Sequence, residues 1–173
     1  SYVAQEILYR QALKEKLPLE GAFAGAARRH LRPVPRIAEA QALIDVATPH
    51  AMIDLSDGLT TDVLHLAEES GVAVRLEEAS VPVSGEAAAV AEQMGLDPFE
   101  LALGSGEEFE LLVALPHSEV GRSVEHVEAV TGTRLTMIGE VLERGRGNLL
   151  VSSGGEERPL RRSGYEHALG RQR

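Results

Sequence analysis

The chain has 173 residues, with 27 Asp and Glu against 17 Lys and Arg, a formal net charge of −10 and no cysteine. The negative charge argues against a surface for nucleic acid or for an anionic membrane, and the lack of cysteine excludes disulfides and thiolate metal sites. A hydrophobic fraction of 43% with 25% charged residues predicts a globular domain with a core of its own.

The amino-terminal part of the chain is predicted to be helical. Apolar residues recur there near helical spacing, and prolines end the segments, among them the two prolines of "LRPVPR" (31–36), which favour an extended link. The predicted helices are Tyr2–Lys16, Ala22–Leu31 and Ile37–Val46.

From residue 51 onward, strands and helices alternate irregularly. The predicted strands are Ala51–Ile53, Val72–Leu76, Phe109–Leu115, Leu135–Leu142 and Leu149–Val151. The predicted helices are Leu59–Glu69, Glu86–Met94, Asp97–Leu103 and Ser118–Val130. This order predicts a single α/β (α+β) domain over residues 1–173, in which a mixed β-sheet is layered with helices.

Three local patterns make these predictions more specific. The segment Phe109–Leu115 is apolar on both faces and is expected to be a central, buried strand. The glycines of "ERGRGN" (143–148) predict a hairpin between the strands on either side of them. Asp97 is expected to be the N-cap of its helix, with Pro98 as the first helical residue.

Neither a membrane span nor an export signal is recognisable in the sequence. No apolar run approaches the ~18–20 residues that a transmembrane helix needs. The first residues, "SYVAQEILYR", have neither the basic start nor the apolar centre of a signal peptide. A cytoplasmic location is therefore expected.

Aspartates are concentrated in "MIDLSDGLTTD" (52–62). Of the five aspartates in the chain, three fall there, at Asp54, Asp57 and Asp62. A purely structural interpretation makes Ser56 or Asp57 the N-cap of the following helix and leaves Asp62 as a solvated residue of its first turns. That interpretation accounts for Asp57 but not for Asp54, which directly follows the apolar strand.

The alternative is a ligand site at the same turn. Ends of strands that lead into helices hold ligands in α/β sheets, free N–H groups there bind phosphate, and Gly58 would let a ligand approach the backbone. Carboxylates repel phosphate, so such a site needs a bridging cation, for which Mg²⁺ is suited. The two lysines, Lys14 and Lys16, lie in the first predicted helix, and no GxxxxGK[ST] loop is present, which excludes a P-loop. The residues alone leave both interpretations open.

A second group of polar residues occupies "GSGEEF" (104–109), directly before a predicted strand. Glu107 and Glu108 are expected at the rim of the sheet, either as solvated charges or as part of a site. Glu110 lies inside the strand pattern and must be paired, exposed at an edge or functional. Tyr165, near the carboxyl terminus, is either a late contact with the core or an exposed ring at a site.

Five segments occur in an order and spacing that resemble one known family. They are "RPVPR" (32–36), "MIDLSDGL" (52–59), "GSGEEFELL" (104–112), "IGEV" (138–141) and "GYEH" (164–167). Together they resemble the C-terminal domain of thiamine-monophosphate kinase, in the aminoimidazole-ribonucleotide-synthetase superfamily. The resemblance runs from about Leu31 to His167, and the "DxSDGL" turn is its most specific part.

This resemblance implies an ATP- and Mg²⁺-dependent transfer of a phosphoryl group from ATP to thiamine monophosphate, which gives thiamine diphosphate. Asp54 and Asp57 resemble magnesium ligands, and Ser56 resembles an ATP contact. Glu107 and Tyr165 resemble contacts of the substrate. No residue is implied as a catalytic base, since phosphoryl transfer depends chiefly on positioning and on neutralisation of charge.

The resemblance also implies partners. The family's N-terminal domain supplies most of the metal-binding aspartates and the dimer contact, and nothing in these 173 residues resembles it. The chain is therefore expected to be the C-terminal half of a two-domain, homodimeric kinase and to be inactive alone. Two alternatives stay open: a sister-family ATP-dependent kinase or synthetase, and a non-catalytic module that retains the fold. The second is supported by "GSGEEF" (104–109), where the family has Gly-Gly-Glu-Asp-Tyr.

Overall fold

The computed structural model describes residues 22–163 of the chain. Its helices are α1 (Ala22–Leu31), α2 (Ile37–Val46), α3 (Leu59–Ser70), α4 (Gly85–Met94), α5 (Pro98–Gly104) and α6 (His117–Thr131). Its strands are β1 (Ala51–Asp54), β2 (Ala73–Glu77), β3 (Leu111–Ala114), β4 (Gly139–Leu142), β5 (Leu149–Val151) and β6 (Glu157–Pro159). The predicted helix Tyr2–Lys16 and the predicted site residue Tyr165 lie outside the described residues.

Every described α-helix lies within one residue of its predicted ends, and the local end signals account for this agreement; the short 3₁₀ helix Glu78–Ser80 was not predicted. Asp97 accepts a hydrogen bond from the Phe99 N–H at 2.8 Å, with Pro98 at the start of α5. Gly71 ends α3 in the left-handed conformation, at φ 66°, and its N–H bonds back to carbonyl oxygens of the last turn. Capping of this kind depends on a few consecutive residues and can be recognised without knowledge of the fold.

Within residues 22–163 the strands form two sheets. Strands β1 and β3 pair antiparallel, with Ala51 opposite Ala114 and Asp54 opposite Leu111. The other sheet has the order β4-β2-β5-β6, in which β2 is antiparallel to β4 and parallel to β5. The mixed sheet layered with helices, predicted from the order of elements, is therefore confirmed.

The predicted hairpin between Leu135–Leu142 and Leu149–Val151 is wrong. Strand β2 lies between β4 and β5 and pairs with both, so the glycine-rich segment 143–148 passes from one side of β2 to the other. Asn148 ties this crossing to the sheet, because its side-chain oxygen accepts the Val74 N–H at 3.0 Å. The true hairpin joins β5 to β6, a strand that the polar sequence after residue 151 did not predict.

The expectation of a central, buried strand at Phe109–Leu115 is also wrong. Strand β3 is shorter, pairs with β1 alone among the described strands, and is only partly buried at each residue. Its apolar side chains, together with those of β2 and β4, line a cavity of about 1150 Å³ between the two sheets. Leu112 packs against the core beneath α3 and Val113 against the apolar contact of α2 with α6, so the two apolar faces of β3 serve two different contacts rather than placement at the centre of a sheet.

Two apolar clusters hold the helices against the sheets. The larger packs α3 against the four-stranded sheet and α5; its buried members are Leu59, Val63, Leu64, Ala67, Val74, Leu76, Leu103, Leu150 and Leu160. The smaller joins α2 to α6 through Ala42, Leu43, Ala47 and Val127. Burial of the first turns of α3 in the larger cluster fixes the turn that precedes this helix. No helix within residues 22–163 is long and apolar enough to cross a bilayer.

Candidate functional site

The aspartate-rich turn connects the end of β1 to the start of α3. Gly58 occupies the N-cap position of α3, with φ 103°, and no side chain caps the helix there. Instead, Oδ2 of Asp62 accepts the N–H groups of Ser56 and Asp57, at 2.9 and 3.0 Å. The expectation that Ser56 or Asp57 caps the helix is therefore wrong. The N–H groups of both residues instead donate to the carboxylate of Asp62, which lies inside the helix.

Asp62 is buried, with 4% of its surface exposed, and the expectation that it is solvated is wrong. Burial raises the pKa of its carboxyl group, the N–H groups of Asp57 and Ser56 oppose this, and the charges of Asp57 and Asp54 add to it; the net effect is a raised pKa. The N–H groups of Ser56 and Asp57 are occupied by Asp62 and are therefore not available to a phosphate.

The loop 105–110 lies directly against this turn. Backbone hydrogen bonds join the Glu107 N–H to the Ser56 carbonyl at 2.8 Å and the Phe109 N–H to the Leu55 carbonyl at 2.9 Å. A third bond returns from the Leu55 N–H to the carbonyl of Glu110 at 2.9 Å. These bonds continue the pairing of β1 with β3 past the end of the sheet. Two motifs separated by about fifty residues thus form one surface.

Two glycines make this close contact possible. A Cβ atom on Gly58 would lie 2.7 Å from the carbonyl oxygen of Ser105, and one on Gly106 would lie 2.6 Å from that of Ser56. Both distances are too short for a real Cβ atom. Gly58 therefore permits the close approach of the neighbouring loop. The sequence had suggested the approach of a ligand instead.

The loop also contains two non-glycine residues in the left-handed region, Glu107 at φ 64° and Phe109 at φ 51°. Such conformations cost on the order of 1 kcal/mol or more each and persist where the surroundings enforce them, which is common at functional sites. Here the hydrogen bonds to the turn at residues 55 and 56 enforce them.

Glu108 lies between these two residues with its side chain largely buried. Ser105 Oγ bonds to its Oε1, and its Oε2 is buried without a hydrogen-bond partner among the described residues. Burial raises the pKa of Glu108 to about 7, the bond from Ser105 opposes this, and the charge of Asp62 adds to it. The interpretation of Glu108 as a solvated charge is thus wrong, whereas Glu107 is partly exposed at the surface of the loop.

Glu110 forms an ion pair with Arg36, the last residue of "RPVPR". The contact is bidentate, with Nη2 to Oε1 at 2.7 Å and Nε to Oε2 at 2.9 Å. Arg36 also contacts Glu39 at 3.1 Å. Of the three alternatives that the sequence left open for Glu110, pairing is the one observed. The ion pair ties the segment before α2 to the start of β3.

We expect Arg36→Lys to lower the free energy of unfolding by about 0.5–1 kcal/mol, because a lysine cannot reproduce the two parallel bonds to Glu110. Denaturant unfolding of the chain would measure this. The matched control is Arg158→Lys, since Arg158 makes a single 3.2 Å contact with Glu100 and both side chains are more than half exposed. Equal losses in the two variants would contradict a special role for the bidentate pair.

The structure brings four of the five predicted site residues together. Asp54 is exposed at the end of β1, Ser56 and Asp57 are partly buried in the turn, and Glu107 is joined to the turn by its backbone. Tyr165 lies outside the described residues. Sequence reasoning missed the inward roles of Asp62 and Glu108. For Asp62 a signal existed, because it is the third member of the aspartate cluster and falls in the first turn of the helix.

The carboxyl-terminal end of the described chain contacts the start of α3. Thr60, in the first turn of α3, accepts the Ser163 N–H at 3.0 Å, and the two hydroxyl oxygens lie 2.9 Å apart. A Cβ atom on Gly104 would lie 2.9 Å from the Ser163 carbonyl. Three segments that are distant in sequence therefore converge at the start of α3.

The chemistry of this surface is that of oxygen ligands. Asp54 and Asp57 present carboxylates from one turn, and Ser56 presents a hydroxyl between them. Among residues 22–163 no group of three or more His, Asp or Glu side chains converges closely enough to hold a metal ion. The turn can therefore contribute at most part of the coordination of a hard cation such as Mg²⁺, which takes its remaining ligands from phosphates and water in many sites.

Comparison with known proteins establishes the family. The model described as "AIR synthase related protein, C-terminal domain" matches residues 5–152. The chain belongs to this family. Curated relatives include thiamine-monophosphate kinase from Rhodopirellula baltica, 34% identical over 131 residues, which are 75% of this chain and 40% of that protein. The enzyme from Escherichia coli K12 is 34% identical over 140 residues, 81% of this chain and 41% of that protein.

Solved structures with a similar architecture were also found. A complex of AaThiL with AMPPCP and TMP superposes with a TM-score of 0.72 at 30% identity, covering 92% of this chain and 46% of that one. E. coli HypE gives 0.67 at 25% identity, covering 90% and 45%. The resemblance to the C-terminal domain of thiamine-monophosphate kinase is thereby confirmed. The chain spans 40–41% of the length of these curated relatives.

Proposed function

We propose that this chain supplies the C-terminal domain of an ATP- and Mg²⁺-dependent kinase that converts thiamine monophosphate to thiamine diphosphate. In this proposal residues 1–173 form one domain, whose partner is the N-terminal domain of the same protein, and the complete protein is a cytoplasmic homodimer. The proposal is supported by relatives called thiamine-monophosphate kinase and by the neighbour that binds AMPPCP and TMP.

The observation that carries the proposal is the backbone contact between the two motif loops. The 2.8 Å backbone bond from Glu107 to Ser56 joins two residues with different roles in the family resemblance. Glu107 resembles a contact of the thiamine substrate, and Ser56 resembles a contact of ATP. A phosphoryl donor and its acceptor have to meet at such a contact, because the transfer requires the two reacting oxygens in line on either side of phosphorus. Ser163 is held against the first turn of α3, directly after the turn that contains Ser56.

In the proposed reaction an oxygen of the acceptor's phosphate attacks the γ-phosphorus of ATP. The bond from that phosphorus to the β–γ bridging oxygen breaks, and ADP leaves with the bonding electrons. A phosphate monoester is mostly dianionic at pH 7, so its attacking oxygen needs no base to remove a proton. The Ser56 hydroxyl would contact ATP, and Glu107, with its carboxylate at the loop surface, would contact the thiamine cation.

The donor set at the turn fits magnesium. Asp54 and Asp57 are hard carboxylate ligands on a short stem, and Asp54 is exposed and Asp57 partly exposed, so both can be reached by a metal that also binds phosphate oxygens. Magnesium held there would offset the mutual repulsion of the carboxylates and the phosphates of ATP. Two carboxylates complete only part of an octahedral shell, which is why the proposal assigns further ligands to the N-terminal domain.

The test is Asp54→Asn in the native gene product that contains this chain. We expect kcat for formation of thiamine diphosphate to fall at least tenfold, because a neutral amide binds Mg²⁺ more weakly than a carboxylate. The melting temperature should change little, since the Asp54 side chain is exposed. Asp45→Asn, an exposed aspartate on α2, is the control. Normal turnover of Asp54→Asn would instead favour a module that retains the fold without the chemistry.

A further prediction concerns the chain alone. We expect isothermal titration of the 173-residue chain with Mg-ATP to show weak binding or none, because its turn supplies two carboxylates and no P-loop. The same titration of the complete protein, if it includes the N-terminal domain, should give clear saturation. Micromolar affinity of the isolated chain would contradict the proposed division of ligands between two domains.

A further inference from the structure

The geometry points to Asp62 as a positioning residue of this site: its buried carboxylate holds the turn 55–58 in the shape that presents Ser56 and Asp57 to their ligands. This inference rests on the proposed function for its kinetic consequences, but the geometric part stands on contacts within the chain. Asp62 itself touches no ligand in this account and acts through the turn.

The contacts define two peptide planes. One oxygen, Oδ2 of Asp62, accepts the N–H groups of the consecutive residues Ser56 and Asp57, at 2.9 and 3.0 Å. Two donors converging on one acceptor fix the orientation of both peptide groups. The two peptide groups flank the Ser56 Cα and therefore set its Cα–Cβ direction, and the second of them also sets the backbone that enters Asp57, so the hydrogen bonds of Asp62 position both residues.

The side chain of Asp62 is held in place by its surroundings in α3. Asp62 is 4% exposed, its own N–H donates to the Gly58 carbonyl at 3.0 Å, and the residues on either side of it in α3 are buried. A buried side chain in a packed first turn has few alternative rotamers. The position of the Asp62 carboxylate is thus fixed, and its hydrogen bonds hold the connection between β1 and α3.

Stability of the helix alone does not account for this carboxylate. Ser56 and Asp57 precede the N-cap residue, Gly58, so their N–H groups belong to the turn and not to the unpaired first turn of the helix. Burying a carboxylate close to Asp54 and Asp57, whose charges act on it, is unfavourable. The hydrogen bonds from Ser56 and Asp57 offset part of this cost, and an amide oxygen at the same position could accept them as well.

The kinetic experiment uses the native gene product that contains this chain. We expect Asp62→Ala to lower kcat at least tenfold at a temperature where the variant is folded. Asp62→Asn, which retains an oxygen at the same position, should restore kcat to within about threefold of the parent. Thr61→Val, which removes a buried hydroxyl without a partner among the described residues, is the neighbouring control and should leave kcat unchanged.

Two results would overturn the inference: Asp62→Ala with kcat within twofold of the parent, or Asp62→Asn as impaired as Asp62→Ala. If Asp62→Ala does not fold, Asp62→Glu replaces it, because the extra methylene displaces the carboxylate while keeping its charge. The same tenfold loss is expected there, and a parental kcat would again overturn the inference.

A second readout separates this inference from the proposed function. Amide hydrogen exchange of the 173-residue chain at residues 56 and 57 should be at least tenfold faster in Asp62→Ala and near parental in Asp62→Asn. If the parent protein has no thiamine-monophosphate kinase activity but this exchange pattern holds, the proposed function fails and the positioning role survives. Unchanged exchange in Asp62→Ala would overturn the positioning role whatever the activity.

Discussion

Replacing Gly106 with alanine should lower the free energy of unfolding of the chain by about 2–4 kcal/mol. The new Cβ atom would lie 2.6 Å from the Ser56 carbonyl oxygen and 3.3 Å from the carbonyl carbon of Asp57. These are backbone atoms and cannot turn aside as a flexible side chain would. The loop 105–110 must therefore move off the turn and stretch the 2.8 Å bond from Glu107 to Ser56.

Denaturant unfolding of the chain would measure this loss. The matched control is the same substitution at Gly121, in the interior of α6, where a Cβ atom meets nothing within 4 Å among the described residues. There alanine should raise stability by about 0.5–1 kcal/mol, because it restricts the unfolded chain and favours the helix. Opposite signs are expected for the two variants. An unchanged or raised stability of Gly106→Ala would show that the two loops do not touch in solution.

The stability of the chain should fall as pH rises from about 5 to 8, and Glu108→Gln should remove part of that fall. Burial raises the pKa of Glu108 to about 7 from its ordinary value of 4.5. Between these values the folded chain keeps a proton that the unfolded chain has released. Folding is then increasingly disfavoured with rising pH, by about 1–3 kcal/mol once the pH passes 7. The raised pKa of Asp62 acts in the same direction.

The measurement is the free energy of unfolding of both proteins at several pH values across this window. The amide introduced by Glu108→Gln keeps an acceptor for the Ser105 hydroxyl but cannot ionise, so the profile of this variant should be flatter and its advantage greatest at pH 8. Glu107→Gln, at the neighbouring, partly exposed carboxylate, controls for the loss of one negative charge in the loop. Parallel profiles for the parent and Glu108→Gln would contradict the burial of the Glu108 carboxyl group.

The inward position of Glu108 also bears on how this chain departs from its family. Glu107 occupies the position that the resemblance assigns to the substrate, and it lies partly exposed beside Ser56. Glu108, where the family has Asp, bonds to Ser105 and has a buried carboxylate oxygen. The departure at residue 108 therefore changes the support of the loop and not the side chain assigned to the substrate.

The sequence by itself determined the α-helices and the position of the aspartate-rich turn. Signals such as Asp97 with Pro98, or Gly71 after α3, act over a few consecutive residues, so each helix could be predicted to within one residue. The clustering of Asp54 and Asp57 after an apolar strand located the turn. These properties depend on local hydrogen bonds and on periodicity, both of which are visible in one segment at a time.

The tertiary structure alone decided the order of the strands and the roles of the buried acids. Strand β2 inserts between β4 and β5, Glu110 finds Arg36 seventy-four residues away, and Asp62 is buried by the core beneath α3. Such outcomes depend on which distant segments share a contact. Their energies come from burial and pairing between segments, and no local propensity records them.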